Sequence, residues 1–209
     1  MLIAVEGIDG AGKNTLVTAV RQQLEEHGVS TTSMGFPAYG QTLYADLADD
    51  ALHGRLGDTA QSAWGMALLF ALDRRERREA IVEAMSAFDV VILDRYVASN
   101  AAYSWARTQS REIVDWIQTT EFEKFDLPLP DVQVYLGTSV QLAAERAEHR
   151  EANDVSRTRD VYERDASLQD RTSAAYQSFA AENWASPWLV SNGNSDELTQ
   201  WIVDSLRRD

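Results

Sequence analysis

The segment LIAVEGIDGAGKNT, residues 2–15, says more about the architecture of this chain than any other. An apolar run leads directly into a glycine-rich loop, and residues 16–24 then place apolar side chains at helical spacing. In this strand–loop–helix context a G-x-x-x-x-G-K motif forms a phosphate-binding loop, whose lysine reaches the β- and γ-phosphates. The sequence therefore predicts a nucleotide-phosphate site at Gly7, Asp9, Gly10, Ala11, Gly12, Lys13, Asn14 and Thr15.

Asn14 departs from the motif, because the residue after the lysine is normally a Ser or Thr that holds magnesium. An amide oxygen binds Mg²⁺ weakly, and Thr15 lies about 100° further around the helix, so it cannot replace residue 14. Magnesium typically takes one or two carboxylates together with waters and substrate phosphates. We therefore expect a Mg²⁺ cofactor held mainly by other groups, with Asp9, Asp94 and Glu163 as candidates.

The composition limits the class of protein. A chain of 209 residues with 44% apolar and 25% charged residues suits one globular α/β domain over residues 1–209. The net charge of −14 argues against a nucleic-acid partner, because phosphate backbones favour a basic face. No apolar run reaches the roughly 18 residues of a membrane helix. The N-terminal segment lacks signal-peptide features and the chain has no cysteine, so we expect a cytoplasmic protein without a membrane partner.

Apolar runs and helical patterns alternate along the chain. Short apolar runs typical of strands in a buried parallel sheet occur at 2–5, 90–93, 132–136 and 188–190. Helical periodicity occurs near 13–27, 59–86, 99–106, 111–125, 140–150, 162–182 and 196–206. The alternation favours an α/β fold with a doubly wound parallel sheet flanked by helices. Residues 151–159 break the periodicity and are a candidate mobile lid.

The segment after the 90–93 run is a candidate site for the phosphate acceptor. Asp94 and Arg95 stand at the carboxyl end of a buried strand, where ligands bind in doubly wound sheets. Arg95 offers a planar fork to a second phosphate group. Ser99 is expected to cap the next helix, on which Asn100 and Tyr103 share a face suited to a base and its sugar. A capped surface helix with one buried Tyr is the alternative interpretation.

A second helix carries a comparable pair. Phe70 and Arg74 are four residues apart and therefore share a helical face. The ring can stack on a base while the guanidinium meets a carbonyl on the edge of that base. Alternatively, Phe70 is a core residue and Arg74 belongs to a solvated basic run with its neighbours.

Five segments together resemble the bacterial thymidylate kinases, especially the actinobacterial, mycobacterial-like branch. They are GIDGAGK (7–13), FPAYG (36–40), LFALDR (69–74), DRYVASNAAY (94–103) and RDVYERD (159–165). They follow the order and spacing of that family over nearly the whole chain. The resemblance implies ATP-dependent phosphorylation of dTMP to dTDP. With it we expect a P-loop NTPase-type, five-stranded sheet with a short lid at about 147–160, and a homodimer with Trp64, Met66 and Trp116 as candidate interface residues.

Carried over by position, the resemblance implies two nucleotide sites. Basic lid residues reaching the ATP phosphates would be Arg146, Arg150, Arg157 and Arg159. Residues binding dTMP would be Asp9, Phe36, Pro37, Tyr39, Phe70, Arg74, Arg95, Ser99, Asn100, Tyr103, Asp160 and Tyr162. Among these, Phe70 would stack on thymine, Arg74 and Asn100 would bond its edge, and Tyr103 would press against C2′ of the sugar.

The resemblance also implies which groups carry the chemistry. Metal is associated with Asp9 and Glu163, which suggests that the loop works with magnesium held differently from the usual motif. The principal catalytic residues would be Lys13, Arg95, Asp9 and Arg150.

Two other functions compete with this interpretation. A related kinase could act on another nucleotide or on a deoxynucleoside, although Arg95 and Tyr39 favour an acceptor that already bears phosphate. A non-catalytic nucleotide switch would need a guanine-reading motif such as N-K-x-D, and neither lysine of the chain follows an asparagine.

Overall fold

The structure is a computed structural model that describes residues 1–153 and 160–208, with the backbone alone for residues 148–153. Its strands form one sheet in the order β2-β3-β1-β4-β5, and every pair in it is parallel. The strands are β1 Leu2–Glu6, β2 Thr31–Gly35, β3 Val90–Asp94, β4 Val132–Leu136 and β5 Trp188–Ser191. The predicted doubly wound, five-stranded parallel sheet is thereby confirmed.

Helices flank this sheet. They are α1 Lys13–Glu26, α2 Leu43–Leu52, α3 Ala63–Glu76, α4 Arg78–Ala87, α5 Val97–Thr108, α6 Glu112–Gln118, α7 Val140–Asn153, α8 Ala166–Glu182 and α9 Ser195–Leu206. Helix α1 packs against α9, and α5 packs against α8. In the described part of the chain, no helix is both long enough and apolar enough to cross a membrane.

The three central strands belong to the same buried core as the helices packed on them. Every residue of β1 and β4 is buried, as is β3 except for its last residue. Because both faces of these strands are covered by helices, their sequences are mostly apolar rather than alternating; the buried Gln133 in β4 is an exception, and its Nε2 donates to Trp184 O at 2.8 Å. The edge strand β2 differs, since TTSMG contains one buried residue and no apolar run. Its position was therefore not predicted from the sequence.

Several helix boundaries differ from the sequence prediction. The pattern at 59–86 is a short 3₁₀ turn at Thr59–Gln61 followed by α3 and α4, which are separated at Arg77. The pattern at 111–125 is α6 continued by a π-helical segment, Thr119–Lys124. The helix predicted from residue 162 begins at 166. The carboxylate of Asp160 stabilises the turn before it, and the carboxylate of Asp165 caps the helix by accepting from Leu168 N–H.

Candidate active site

The phosphate loop joins β1 to α1 and lies against α7. Helix α1 begins directly after Gly12, whose φ of 101° is in the left-handed region. At Gly10 the φ is 76°, and a β-carbon would lie 2.1 Å from the carbonyl oxygen of Ala143. Only glycine fits there, because both the backbone conformation and the contact exclude a side chain. The loop therefore packs closely against the start of α7 and leads directly into the N-terminus of α1, and helix N-termini favour anions.

Lys13 folds back over the loop. Its Nζ donates to the carbonyl oxygens of Gly7 at 3.1 Å and Ile8 at 2.9 Å, and the residue is buried. Burial and the nearby charge of Arg95 lower the pKa of Lys13 from 10.5 to about 8, against the opposing effect of Asp9. A bound polyphosphate would favour the cation, so this lysine is poised to gain charge when anions arrive.

Arg95 links the loop to the neighbouring pocket. Its Nη1 donates to Gly7 O at 2.9 Å, and its Nη2 lies 2.5 Å from Oδ1 of Asp9. The backbone of Arg95 has a φ of 66°, and its N–H donates to Val5 O at 2.9 Å. A left-handed arginine at the end of a central strand is an unfavourable conformation for a residue with a β-carbon. It turns the guanidinium back across the sheet edge towards the loop.

Asp9 accepts hydrogen bonds on both carboxylate oxygens. Besides Arg95 on Oδ1, the hydroxyl of Tyr103 donates to Oδ2 at 2.5 Å and Gln169 Nε2 donates to it at 3.2 Å. Burial alone would raise the pKa of Asp9, but Arg95, Lys13 and these hydrogen bonds outweigh it and lower the pKa to about 2. The carboxylate is therefore ionised and fixed between the loop and the pocket.

One pocket next to Asp9 collects the residues expected to bind the acceptor. All twelve of them line it: Asp9, Phe36, Pro37, Tyr39, Phe70, Arg74, Arg95, Ser99, Asn100, Tyr103, Asp160 and Tyr162. They come from the loop after β1, the segment after β2, helices α3 and α5, and the turn before α8. Side chains far apart in sequence thus converge on one cleft at the carboxyl edge of the sheet.

At one end of the pocket, Arg74 and Asn100 share a buried partner. Arg74 Nε and Nη2 donate to the carboxylate of Glu121 at 2.5 and 2.8 Å, and Asn100 Nδ2 donates to the same carboxylate at 2.8 Å. Arg74 is therefore not part of a solvated basic run. Glu121 lies inside a predicted helical segment and gives no sequence signal that separates it from surface glutamates.

Ser99 does not cap α5, because the helix already begins at Val97 and Ser99 lies inside its first turn. Its hydroxyl donates instead to Oε2 of Glu6 at 2.5 Å and accepts from Arg95 Nη1 at 3.2 Å. Burial raises the pKa of Glu6 despite the hydrogen bond from Ser99. Glu6 was not predicted from the sequence, although a carboxylate that ends an apolar strand just before the loop is a usable signal.

The other end of the pocket holds stacked aromatic rings. Tyr103 and Tyr162 stack with centroids 6.1 Å apart, and the Arg107 guanidinium lies 4.9 Å from the centre of the Tyr162 ring. Arg107 also lines the pocket and was not predicted, although it lies one helical turn after Tyr103 on the same face. Asp160 accepts from the N–H groups of Tyr162 and Glu163 at 2.7 and 2.9 Å.

The predicted ATP-side residues lie around the loop where the structure describes them. Asn14 and Thr15 are exposed in the first turn of α1, and Arg146 Nη1 donates to Ala11 O at 3.0 Å. Three predicted lid residues fall outside the described side chains: Arg150, Arg157 and Arg159. Among the described residues, no group of three or more His, Cys, Asp or Glu side chains is placed to hold a metal ion by itself.

Two of the candidate interface residues meet on the surface. Trp64 and Trp116 pack edge to face with centroids 5.5 Å apart, and Trp64 is 45% exposed. Leu68 lies one turn after Trp64 and is 41% exposed. Met66 differs, since it is buried within its own chain and lines the pocket. The prediction that Met66 contributes to an interface was therefore wrong, because residues two apart on a helix point in directions about 200° apart.

Comparison with known proteins agrees with this geometry. A protein-family model described as Thymidylate kinase matches residues 5–193. A protein named Thymidylate kinase from Mycobacterium tuberculosis (strain ATCC 25618 / H37Rv) is 49% identical over 199 residues, covering 94% of this chain and 93% of the relative. A second protein named Thymidylate kinase, from Akkermansia muciniphila, is 35% identical over 190 residues, covering 90% of this chain and 81% of the relative. The chain belongs to the thymidylate kinase family.

Proposed function

We propose that this chain transfers the γ-phosphoryl group of ATP to the phosphate of dTMP, giving ADP and dTDP. The observation that carries the proposal is the convergence of twelve predicted acceptor residues on one pocket that adjoins the phosphate loop. The Arg95–Asp9 ion pair joins the two regions at 2.5 Å. Family membership supports the same activity.

The acceptor is held along the length of the pocket. Phe70 stacks on the base, Arg74 and Asn100 bond its edge, and Tyr103 packs against the deoxyribose. The acceptor phosphate lies near Arg95 and Tyr39, with Phe36 and Pro37 supporting it. Asp160 and Tyr162 close the pocket from the turn before α8.

Catalysis rests on positioning and on neutralisation of charge. Phosphoryl transfer spreads negative charge over the transferred group, and fixed cations stabilise that charge without reorganising. Lys13 and Arg95 are the described cations nearest the junction of the two sites, and both already bond to the loop backbone. Arg150, from the lid, completes the proposed catalytic group with Asp9.

The described residues fit a magnesium ion held mostly by phosphates and waters. Oδ1 of Asp9 keeps acceptor capacity beside its hydrogen bond from Arg95, whereas Oδ2 already accepts from Tyr103 and Gln169, and the amide of Asn14 is exposed at the loop exit. Glu163, in the turn after Asp160, is the second proposed carboxylate. When bound, the ion would neutralise phosphate charge and help to orient the donor.

The assembly and location follow from the same proposal. We assign the exposed Trp64, Leu68 and the adjoining Trp116 to a homodimer interface, because adjacent exposed aromatic and aliphatic side chains are typical of such contacts. The absence of cysteine fits function in a reducing cytoplasm.

The test is the identity of the products. The purified chain is incubated with ATP, Mg²⁺ and dTMP, and the nucleotides are separated by anion exchange. Equal amounts of ADP and dTDP are expected. ADP formed without dTDP would show ATP hydrolysis alone and would contradict the proposal.

A further inference from the structure

We propose that Glu121, which lies behind the pocket and does not line it, sets the preference of the site for 4-oxo over 4-amino pyrimidines. It acts as a positioning residue, because it fixes which atoms of Arg74 and Asn100 face the base. The inference rests on the proposed function, since it concerns how the same acceptor pocket reads its base.

Glu121 fixes the guanidinium of Arg74 in one orientation. The carboxylate accepts hydrogen bonds from Nε at 2.5 Å and from Nη2 at 2.8 Å. This two-point contact prevents the planar guanidinium from rotating. The side chains of both residues are almost completely buried. Because this pair uses the Nε hydrogen and one hydrogen of Nη2, Arg74 retains the two hydrogens of Nη1 and the second hydrogen of Nη2 as donors for the pocket.

Glu121 also fixes the amide of Asn100. The Nδ2 group lies 2.8 Å from Glu121 Oε1 and 2.9 Å from the carbonyl oxygen of Ala67. Both of these partners accept the hydrogen bond through an oxygen, one of the carboxylate and one of the backbone carbonyl. The amide nitrogen therefore faces them, and the Oδ1 atom of Asn100 is turned the other way. Ser104 Oγ lies 3.5 Å from Oδ1, which keeps a second lone pair as an acceptor for the base.

The local backbone is shaped to bring this carboxylate inward. Glu121 sits in the π-helical segment Thr119–Lys124, a rare geometry that is frequent at functional sites. Burying two charges offsets most of the attraction between them, so stability alone does not account for the pair. Its specific consequence is the orientation of two pocket side chains.

The resulting pattern is a donor from Arg74 beside an acceptor from Asn100. Thymine and uracil present a carbonyl acceptor at position 4 next to an N–H donor at position 3, which complements this pattern. Cytosine presents an amino donor at position 4 and an acceptor at position 3. The Arg74 donor would then face a donor, and the Asn100 acceptor would face an acceptor. Sites that leave buried polar groups unpaired reject such analogues strongly.

Glu121→Gln tests the inference, with Glu123→Gln as the matched control. Glu123 lies in the same π-helical segment but is exposed, so both variants lose one negative charge from the same segment. With glutamine at 121, a neutral amide replaces the carboxylate, and its N–H₂ group can face Asn100. We expect kcat/KM for dTMP to fall by about 30-fold, mostly through KM, and the dTMP-to-dCMP preference to fall by at least about tenfold. The control should retain both values.

A conservative variant separates positioning from folding. Glu121→Asp keeps the charge but withdraws the carboxylate by one methylene, so the loss of selectivity should be smaller than for Glu121→Gln. Affinity for ATP, measured without acceptor, should be unchanged in both. Folded variants with wild-type selectivity would overturn this inference and leave the proposed function intact. Unfolding of both variants would overturn the inference in favour of a purely structural role for Glu121. A wild-type chain inactive with dTMP would overturn the proposed function and this inference with it.

Discussion

Arg95 and Asp9 join the two proposed nucleotide sites through one ion pair, and Lys13 lies on the loop beside them. Arg95 bonds at once to Gly7 O, Ser99 Oγ and Asp9. A cation held by three fixed partners does not need to reorganise when phosphate charge develops, which is the condition for strong electrostatic stabilisation. We therefore expect the reaction rate to be most sensitive to single substitutions at these residues.

Removing either cation should strongly slow the reaction. We expect Arg95→Ala and Lys13→Ala each to reduce kcat by at least about two orders of magnitude, as for other single electrostatic stabilisers. Initial rates of ADP formation with dTMP measure this effect. Arg208→Ala, which removes an exposed arginine near the C-terminus, is the control and should keep the wild-type rate. A near-normal rate in either test variant would contradict the assigned roles.

The lowered pKa of Lys13 predicts proton uptake on ATP binding. Its pKa of about 8 in the free chain means that the cation is disfavoured, and phosphates should raise the pKa back towards 10.5. We expect more proton uptake on ATP binding at pH 8.5 than at pH 7, where the cation already predominates. Calorimetry in two buffers of different ionisation enthalpy measures the proton uptake.

Lys13→Arg is the control for the proton measurement, because a guanidinium stays charged throughout this range. The variant should show no extra uptake at pH 8.5. Equal proton uptake by the wild-type chain and the variant would rule out Lys13 as its source.

The residue scale also shows where the sequence is informative. Phe70 with Arg74 and Asn100 with Tyr103 share helical faces, so the spacing of each pair is enough to predict that its side chains point the same way. Glu121 was not predictable, because its role depends on a π-helical segment and on contacts 47 residues away in the chain with Arg74.

At the scale of elements, the four strands that contain apolar runs were predicted, and β2, which has none, was not. The central strands β1, β3 and β4 are apolar because both of their faces are covered, and this composition is visible in the sequence. The edge strand β2 pairs with β3 alone, and three of its five residues are half-buried. Its formation depends on a tertiary neighbour rather than on its own composition.

The first turn of α1 carries the prediction about the metal. Asn14 is exposed there, where a hydroxyl usually holds magnesium. We expect Asn14→Thr to change the Mg²⁺ concentration that gives half-maximal rate more than it changes KM for dTMP. Mg²⁺ titrations at saturating dTMP measure the first quantity, and Asn14→Ser should behave like Asn14→Thr. An unchanged titration would remove residue 14 from the metal site.

At the scale of the whole molecule, an exposed apolar surface predicts self-association. Leu68→Glu should shift the proposed homodimer towards monomer, because a glutamate charge would be buried at the interface. Sedimentation velocity at micromolar concentration measures the mass. Leu142→Glu is the matched control, since Leu142 is also 41% exposed but lies on α7. A monomeric wild-type chain would contradict the proposed interface.

The measurement that tests the central claim most directly compares acceptors in one coupled ADP-release assay with ATP and Mg²⁺. The acceptors are dTMP, dUMP, UMP, dCMP and thymidine. The proposed pocket predicts a strong preference for dTMP, weak turnover of UMP and dCMP, and none of thymidine, which lacks the phosphate that Arg95 would bind. Efficient turnover of thymidine would contradict the assignment of the pocket, and so would a failure to turn over any of the acceptors.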